Sequence, residues 1–297
     1  MSHSTVVHIP HSSMLIPDQY RDQFVLDDQA LEREKLKMTD LYTDELFSGI
    51  DGCLDLVFPV SRLLVDPERF PDDAHEPMAE IGMGAIYKVT SDLLPLRRFI
   101  SEEERRHLMD TFYKPHHAEL TDLVRPPAMR GARVRRGGPG SSALIIDAHS
   151  FPGTPLPYES NQDVLRPEIC IGADPDHTSD DLLGMAVSLF RKAGFIVAVN
   201  QPFSGALVPA EFYRRDSSVF SIMIEVRRDL YMNETTGEKN AGFDAFRSLL
   251  RSLVSDLDYL YWSRKRRLED KCTDDNEVFR HVDRKQMLRV KQLGRGR

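Results

Sequence analysis

Residues 143–146 read Ala-Leu-Ile-Ile and run on through Asp147, Ala148, His149, Ser150 and Phe151 before the chain turns at Pro152 and Gly153. A short, nearly continuous apolar run bounded by turn residues is the signature of a strand covered on both faces. Such a strand needs helices on both sides of its sheet, and this restricts the chain to an α/β arrangement. The same strand ends in an acid, an imidazole and a hydroxyl. Polar groups at a buried strand end need partners, or their burial costs several kcal/mol.

The rest of the chain supplies the layers. A strand is expected over Thr5–Ile9, followed by the loop "PHSSMLIP" closed by Pro17. Residues 27–50 read as helical, with Thr39 as N-cap of a helix holding Asp40 and Asp44. "CLDLVFPVSRLLVD" offers one or two short strands. Ser101 followed by three Glu marks the capped start of a long helix over 101–123. "EICIGAD", "FIVAVN" and "SVFSIMIEV" read as further strands, and Thr178–Gly194 as a helix capped by Ser179 or Asp180. Residues 243–268 form a long amphipathic helix ending in Arg-Lys-Arg-Arg. Strands alternating with helices predict a mostly parallel or mixed sheet.

Residues 125–140 hold five Arg, four Gly and three Pro with no acid, and read as a mobile connector, the alternative being a flap over an anion site. From Ser263 the chain is charged and net basic. The division expected is one domain over 1–262 and a charged extension over 263–297.

Bulk properties narrow the function. At 297 residues, with 41% hydrophobic and 29% charged residues, the chain has ordinary globular composition and ample length for a core. A net charge of −8 gives no reason to expect a nucleic-acid partner. No apolar run reaches signal-peptide or membrane-span length. Cys53, Cys170 and Cys272 are odd in number and far apart, so neither a disulfide framework nor a CxxC pair is expected, and a reduced, cytoplasmic compartment fits best.

In open α/β sheets ligands bind beyond the carboxyl ends of strands. His11, His149, Asn200 and Glu225 all stand at such ends. Side chains alternate along a strand, so Asp147 and His149 share one face, as do Ser221, Met223 and Glu225. A buried carboxylate beside imidazoles suits hydrolytic zinc, which takes three ligands from His, Asp or Glu and keeps one position for water. His11, an acid on the next helix, His149, Glu225 and the arginines of "SRLLVDPERF" fill such a list. Spacing alone leaves each His open to a structural role, because no HExxH or similar local signature is present.

Eight segments together carry a resemblance: "IPHSSMLIP", "TDLYTDELF", "VSRLLVDPERFPDD", "YKPHHAEL", "LIIDAHSFP", "EICIG", "NQPFSGA" and "IEVRRDLYMNE". In this order, from about Val6 to Glu234, the chain resembles the N-formylglutamate amidohydrolase family. The resemblance implies a three-layer α/β/α fold around a central mixed sheet, phosphorylase/hydrolase-like and similar to zinc carboxypeptidases and related deacylases. It also implies one zinc ion (Zn2+) per chain and hydrolysis of a small N-acyl amino acid. For the namesake, N-formyl-L-glutamate yields formate and glutamate, a late step of histidine degradation.

Carried over by residue, His11 and His149 match the metal histidines, and Asp40 the carboxylate ligand, with Asp44 as its alternate. Glu225 matches the general base. Arg62 is the candidate for oxyanion stabilisation and Arg69 for gripping a substrate carboxylate. His117, Asn200 and Ser204 are expected to line the substrate site. Asp147 is a candidate for orienting a ligand His, and Tyr231 for pocket lining or core packing. His8 and His116 are expected to be structural or exposed. Two departures stand out: Glu68 in "DPER" replaces the Asn of the family's D-x-N-R, and "FSGA" stands where a Gly-Gly pair is common. Both point to altered substrate preference. The alternatives are hydrolysis of another N-acyl amino acid or small peptide amide, or a metal-free binding protein on the same fold.

Overall fold

The fold is that of a computed structural model that describes residues 3–125 and 142–267. Most of the Arg/Gly/Pro-rich stretch and the basic extension beyond residue 267 therefore lie outside the described residues.

Six strands form one mixed sheet: β1 (His3–Ile9), β2 (Cys53–Val57), β3 (Ser142–Phe151), β4 (Ile169–Gly172), β5 (Val197–Val199) and β6 (Val219–Arg227), in the order β2-β1-β3-β6-β4-β5. β2, β1, β3 and β6 are mutually parallel, whereas β4 runs antiparallel to β6 and carries β5 with it. The parallel strands bring their carboxyl ends to one edge of the sheet. The reversed pair sends its ends to the other.

β3 is buried from Ala143 to Phe151, as its apolar run requires. Leu144, Ile146 and Ala148 face a core shared with Val7, Ile9, Ile222, Ile224 and Val226. That core is closed by α5 (Asp180–Lys192, N-capped by Ser179) and by the helix over residues 243–267, through Leu182, Phe190, Leu250 and Val254. On the other face Val6, Ala143, Ile145 and Val219 pack against Leu120 and Val124 of α4 (Lys114–Val124). The layers are thus helix, sheet, helix. The helix over 243–267 continues through residue 263, where the domain division was expected, and Trp262 donates to the Thr5 hydroxyl of β1 at 2.9 Å. Among the described residues no helix is long and apolar enough to cross a membrane.

The helix expected over 101–123 exists in three parts. α3 (Glu102–Leu108) opens with a capping box between Ser101 and Glu104, and a π-helical turn (Met109–Tyr113) joins it to α4. Pro115 lacks the N–H that would continue α-helical bonding, and the wider turn takes up the break.

Residues 27–50 depart from expectation. They hold α1 (Asp28–Met38) and the short α2 (Thr43–Phe47), with a break between. Thr39 caps the C-terminus of α1 and is not an N-cap; Tyr42, with φ 69°, precedes α2. The break has a tertiary cause. The Asp40 N–H donates to the His11 carbonyl at 2.9 Å, so the chain leaves the helix to meet the end of β1.

Candidate metal centre and active site

The carboxyl edge of the four parallel strands gathers side chains from distant segments. His11 follows β1, His149 lies near the end of β3, and Glu225 lies beside His149 in register on β6. The break after α1 contributes Asp40, fixed from below by the Thr43 hydroxyl, which donates to the Asp40 carbonyl at 2.7 Å. The segment after β2 contributes Arg62, Asp66, Glu68 and Arg69, and Arg228 follows β6.

His11, Asp40 and His149 are all buried and offer ligand atoms within 4.8 Å of one another. The Asp40 Oδ2 lies 3.1 Å from His149 Nδ1 and 3.7 Å from His11 Nδ1. Zinc bonds of about 2.0–2.1 Å in tetrahedral geometry separate ligand atoms by roughly 3.3 Å, and the observed distances bracket that value. The opposite ring nitrogens are backed by carboxylates. His11 Nε2 lies 2.9 Å from Asp66, and His149 Nε2 lies 3.2 Å from both Asp147 and Glu68. A carboxylate there makes that nitrogen the proton carrier and leaves Nδ1 with the lone pair. The His11 Nδ1 is buried and has no hydrogen-bond partner among the described residues. This donor set and its orphaned nitrogen fit a metal ion.

The electrostatics follow from the partners. Burial raises the Asp40 carboxyl, but His11, His149 and Arg228 outweigh it and hold the group well below its ordinary value. Arg228 Nη2 donates to Asp40 Oδ1 at 3.0 Å. Asp66 is held low against burial by Arg62, His11 and Arg69, and accepts from the Tyr87 hydroxyl at 2.6 Å. Burial lowers the His149 imidazole, but Glu68, Asp147 and Asp40 more than reverse this. Glu225 differs: burial pushes its carboxyl up to about 8, with Asp40 and Glu68 adding to the rise, and its Oε2 has no hydrogen-bond partner among the described residues.

A cavity of about 1160 Å³ opens over the cluster and is lined by His11, Asp40, His149, Glu225 and the expected Arg62, Arg69, His117 and Ser204. Arg62 is held by Asp66 at 2.8 Å and by the Tyr87 hydroxyl at 3.2 Å. Arg69 is looser. Its Nε lacks a hydrogen-bond partner among the described residues, and its carboxylate neighbours Asp66 and Glu76 are 3.7 and 3.9 Å away. His117 packs tilted against Tyr113 with centroids 4.2 Å apart, and its Nε2 donates to the Pro67 carbonyl at 2.7 Å, which fixes the backbone next to Glu68.

Two expected residues stand elsewhere. Asp44 is exposed on α2 and outside the cluster. Asn200 is exposed, does not line the cavity, and accepts from the Ala173 N–H at 2.8 Å. It was placed at the site as a strand end, but β5 runs the other way. Tyr231 is core, its hydroxyl donating to Ser150 at 2.8 Å. Sequence reasoning missed Arg228 and Asp66 as members of the cluster, and read Glu68 as a determinant of substrate preference without placing it against His149. The only local signal was charge next to expected site residues.

The pattern of one family, N-formylglutamate amidohydrolase, matches residues 3–232. No curated protein matches the chain. Among solved structures, the N-formylglutamate amidohydrolase from Ralstonia eutropha JMP134 superposes with a TM-score of 0.70 at 24% identity, covering 88% of this chain and 96% of that one. A gene product from Agrobacterium tumefaciens superposes at 0.54 with 19% identity, covering 86% and 92%. Both likenesses are of fold.

Proposed function

The chain belongs to the N-formylglutamate amidohydrolase family, and from that premise we propose that it is a zinc-dependent amidohydrolase that converts N-formyl-L-glutamate to formate and L-glutamate. The observation that carries the proposal is the meeting of His11, Asp40 and His149 beside a buried Glu225 that lacks a partner at Oε2. His11 Nδ1, Asp40 and His149 Nδ1 would hold the ion. Bound zinc supplies a Lewis acid and brings its water towards ionisation near neutral pH.

The chain's own residues do the rest. Glu225 takes the proton of the attacking water and returns it to the leaving amine; a carboxyl raised towards neutrality suits that exchange. Arg62, locked by Asp66 and Tyr87, presents a fixed cation to the oxygen that gains charge. Arg69, which lines the cavity and is held only loosely by Asp66 and Glu76, grips a substrate carboxylate. Free Cys53 and Cys170 suit a reduced compartment.

Elemental analysis of gently purified protein, paired with an assay of formate release from N-formylglutamate, tests this directly. Near-stoichiometric zinc and release are expected. No metal after incubation with zinc would end the mechanism and favour a binding protein. Glu68 favours a second reading of the substrate. Its carboxylate stands 3.2 Å from His149, where the family pattern places an Asn, and repels substrate anions from that corner. A panel of N-formyl and N-acetyl amino acids, acidic and neutral, ranks the candidates by kcat/KM.

A further inference from the structure

We propose that His8, braced by His116, is a positioning residue for the metal centre: it holds Asp147, and through Asp147 keeps the His149 ring turned so that Nδ1 faces the ion. The inference rests on the metal reading above. It concerns two histidines that the mechanism does not use.

His8 is fully buried on β1 and lies next to Asp147 of β3 in register. Its Nδ1 is 2.8 Å from Asp147 Oδ1, and the same oxygen is 3.2 Å from His149 Nε2. The other oxygen, Asp147 Oδ2, accepts from the Leu207 N–H at 3.1 Å. An ionised carboxylate only accepts, so the His8 nitrogen facing it donates. Asp147 is thus gripped from two sides and has one orientation in which to meet His149. On the far side His8 Nε2 is 2.8 Å from His116 Nε2, the two rings 5.1 Å apart. His116 comes from α4, is buried, and is wedged edge-on against Phe58 at 4.9 Å. The chain therefore runs from α4 through two imidazoles and a carboxylate to a metal-facing ring.

Position 8 shares its sheet face with Val6 and sits among Val6, Val7 and Ile9, where an apolar residue would satisfy the sheet. An apolar residue would also remove one of Asp147's donors and free its carboxylate to turn. His8, Glu68 and Asp147 also come within 4.8 Å of one another, close enough to suggest a second cation. Both His8 nitrogens are already engaged, one by Asp147 and one by His116, and that favours the brace.

The test measures zinc stoichiometry and zinc affinity, by competition with a chelator, for wild type, His8→Ala and His8→Asn. The Asn amide keeps an N–H donor near the position of Nδ1. Outer partners of metal-bound histidines are worth about 10- to 100-fold in affinity, so His8→Ala should weaken zinc about tenfold and His8→Asn should recover most of the loss. A role limited to packing would lower the melting temperature of the metal-free protein in both variants and leave affinity equal. Should His8→Ala fail to fold, His116→Phe fills the volume, drops the bond to His8, and should weaken zinc by a smaller factor. Equal affinity in wild type and variants overturns the proposal, as does equal weakening by Ala and Asn. Two zinc ions in wild type falling to one in His8→Ala would replace the brace with a second metal site. A wild type that binds no zinc sinks the metal reading itself, whereas zinc held equally by all variants sinks only the brace.

Discussion

Asp40 and Glu225 line one cavity, both are buried, and their surroundings push the two carboxyls in opposite directions. Asp40 meets His11, His149 and Arg228 and stays ionised. Glu225 has an oxygen with no hydrogen-bond partner among the described residues, and its carboxyl rises to about 8. Burial pushes every carboxyl upward. The donors that the fold delivers decide whether that push prevails. A carboxylate saturated with donors suits a metal ligand; one left short of them suits a base.

The largest expected break in this contrast is His149→Ala. It removes a proposed ligand and Asp40's partner together, so metal content should fall to zero and turnover to background, read by elemental analysis and formate release. Glu225→Gln should keep the metal and lower kcat by about 10²–10⁴, the range for a lost acid–base group; loss of metal there would assign Glu225 to the ligand set. Arg228→Met leaves Asp40 buried with less compensation and should destabilise the metal-free protein by about 3–5 kcal/mol in denaturant unfolding. Arg69→Ala should raise KM for an acidic substrate by roughly 10- to 100-fold, a charged hydrogen bond being worth about 1.5–3 kcal/mol. An unchanged KM would remove Arg69 from substrate binding.

The contrast also shows in pH dependence, where the two carboxyls act with opposite sign. Glu225 titrates near 4.5 when unfolded and near 8 in the fold. Its contribution is fully present below pH 4.5 and is lost as pH rises towards 8, by at most about 1.4 kcal/mol per pH unit. Asp40 is depressed, so its contribution is present above its ordinary value of 3.8 and is lost as pH falls through its folded value. Thermal melts of metal-free Glu225→Gln should gain on wild type from pH 5 to 8, while Asp40→Asn should flatten the acid limb. A gap between Glu225→Gln and wild type that stays constant over that range would contradict the raised carboxyl.

Much of this was legible along the chain. The apolar run of 143–146 announced the two-sided burial of β3, Ser101 and Glu104 their capping box, and the alternation of β6 put Ser221, Met223 and Glu225 on one face. The helix break at residues 39–42 was not legible, because it follows from a bond between Asp40 and His11 and not from local propensity. Asn200 read as a site residue because a strand's polar end looks the same whichever way the strand runs. Nothing near Arg228 in the sequence points to its partner Asp40, which is 188 residues away in the chain.

By itself the sequence determined most of the strands, the faces of each and the polar residues at their ends, because these follow from side-chain period and apolar run length over a few residues. Only the tertiary structure decided which carboxylate joins the two histidines, which one is left short of donors, and that His8 reaches Asp147. Those outcomes depend on strand order, strand direction and the packing of α4, which bring together groups such as His8 and Asp147, 139 residues apart in the chain.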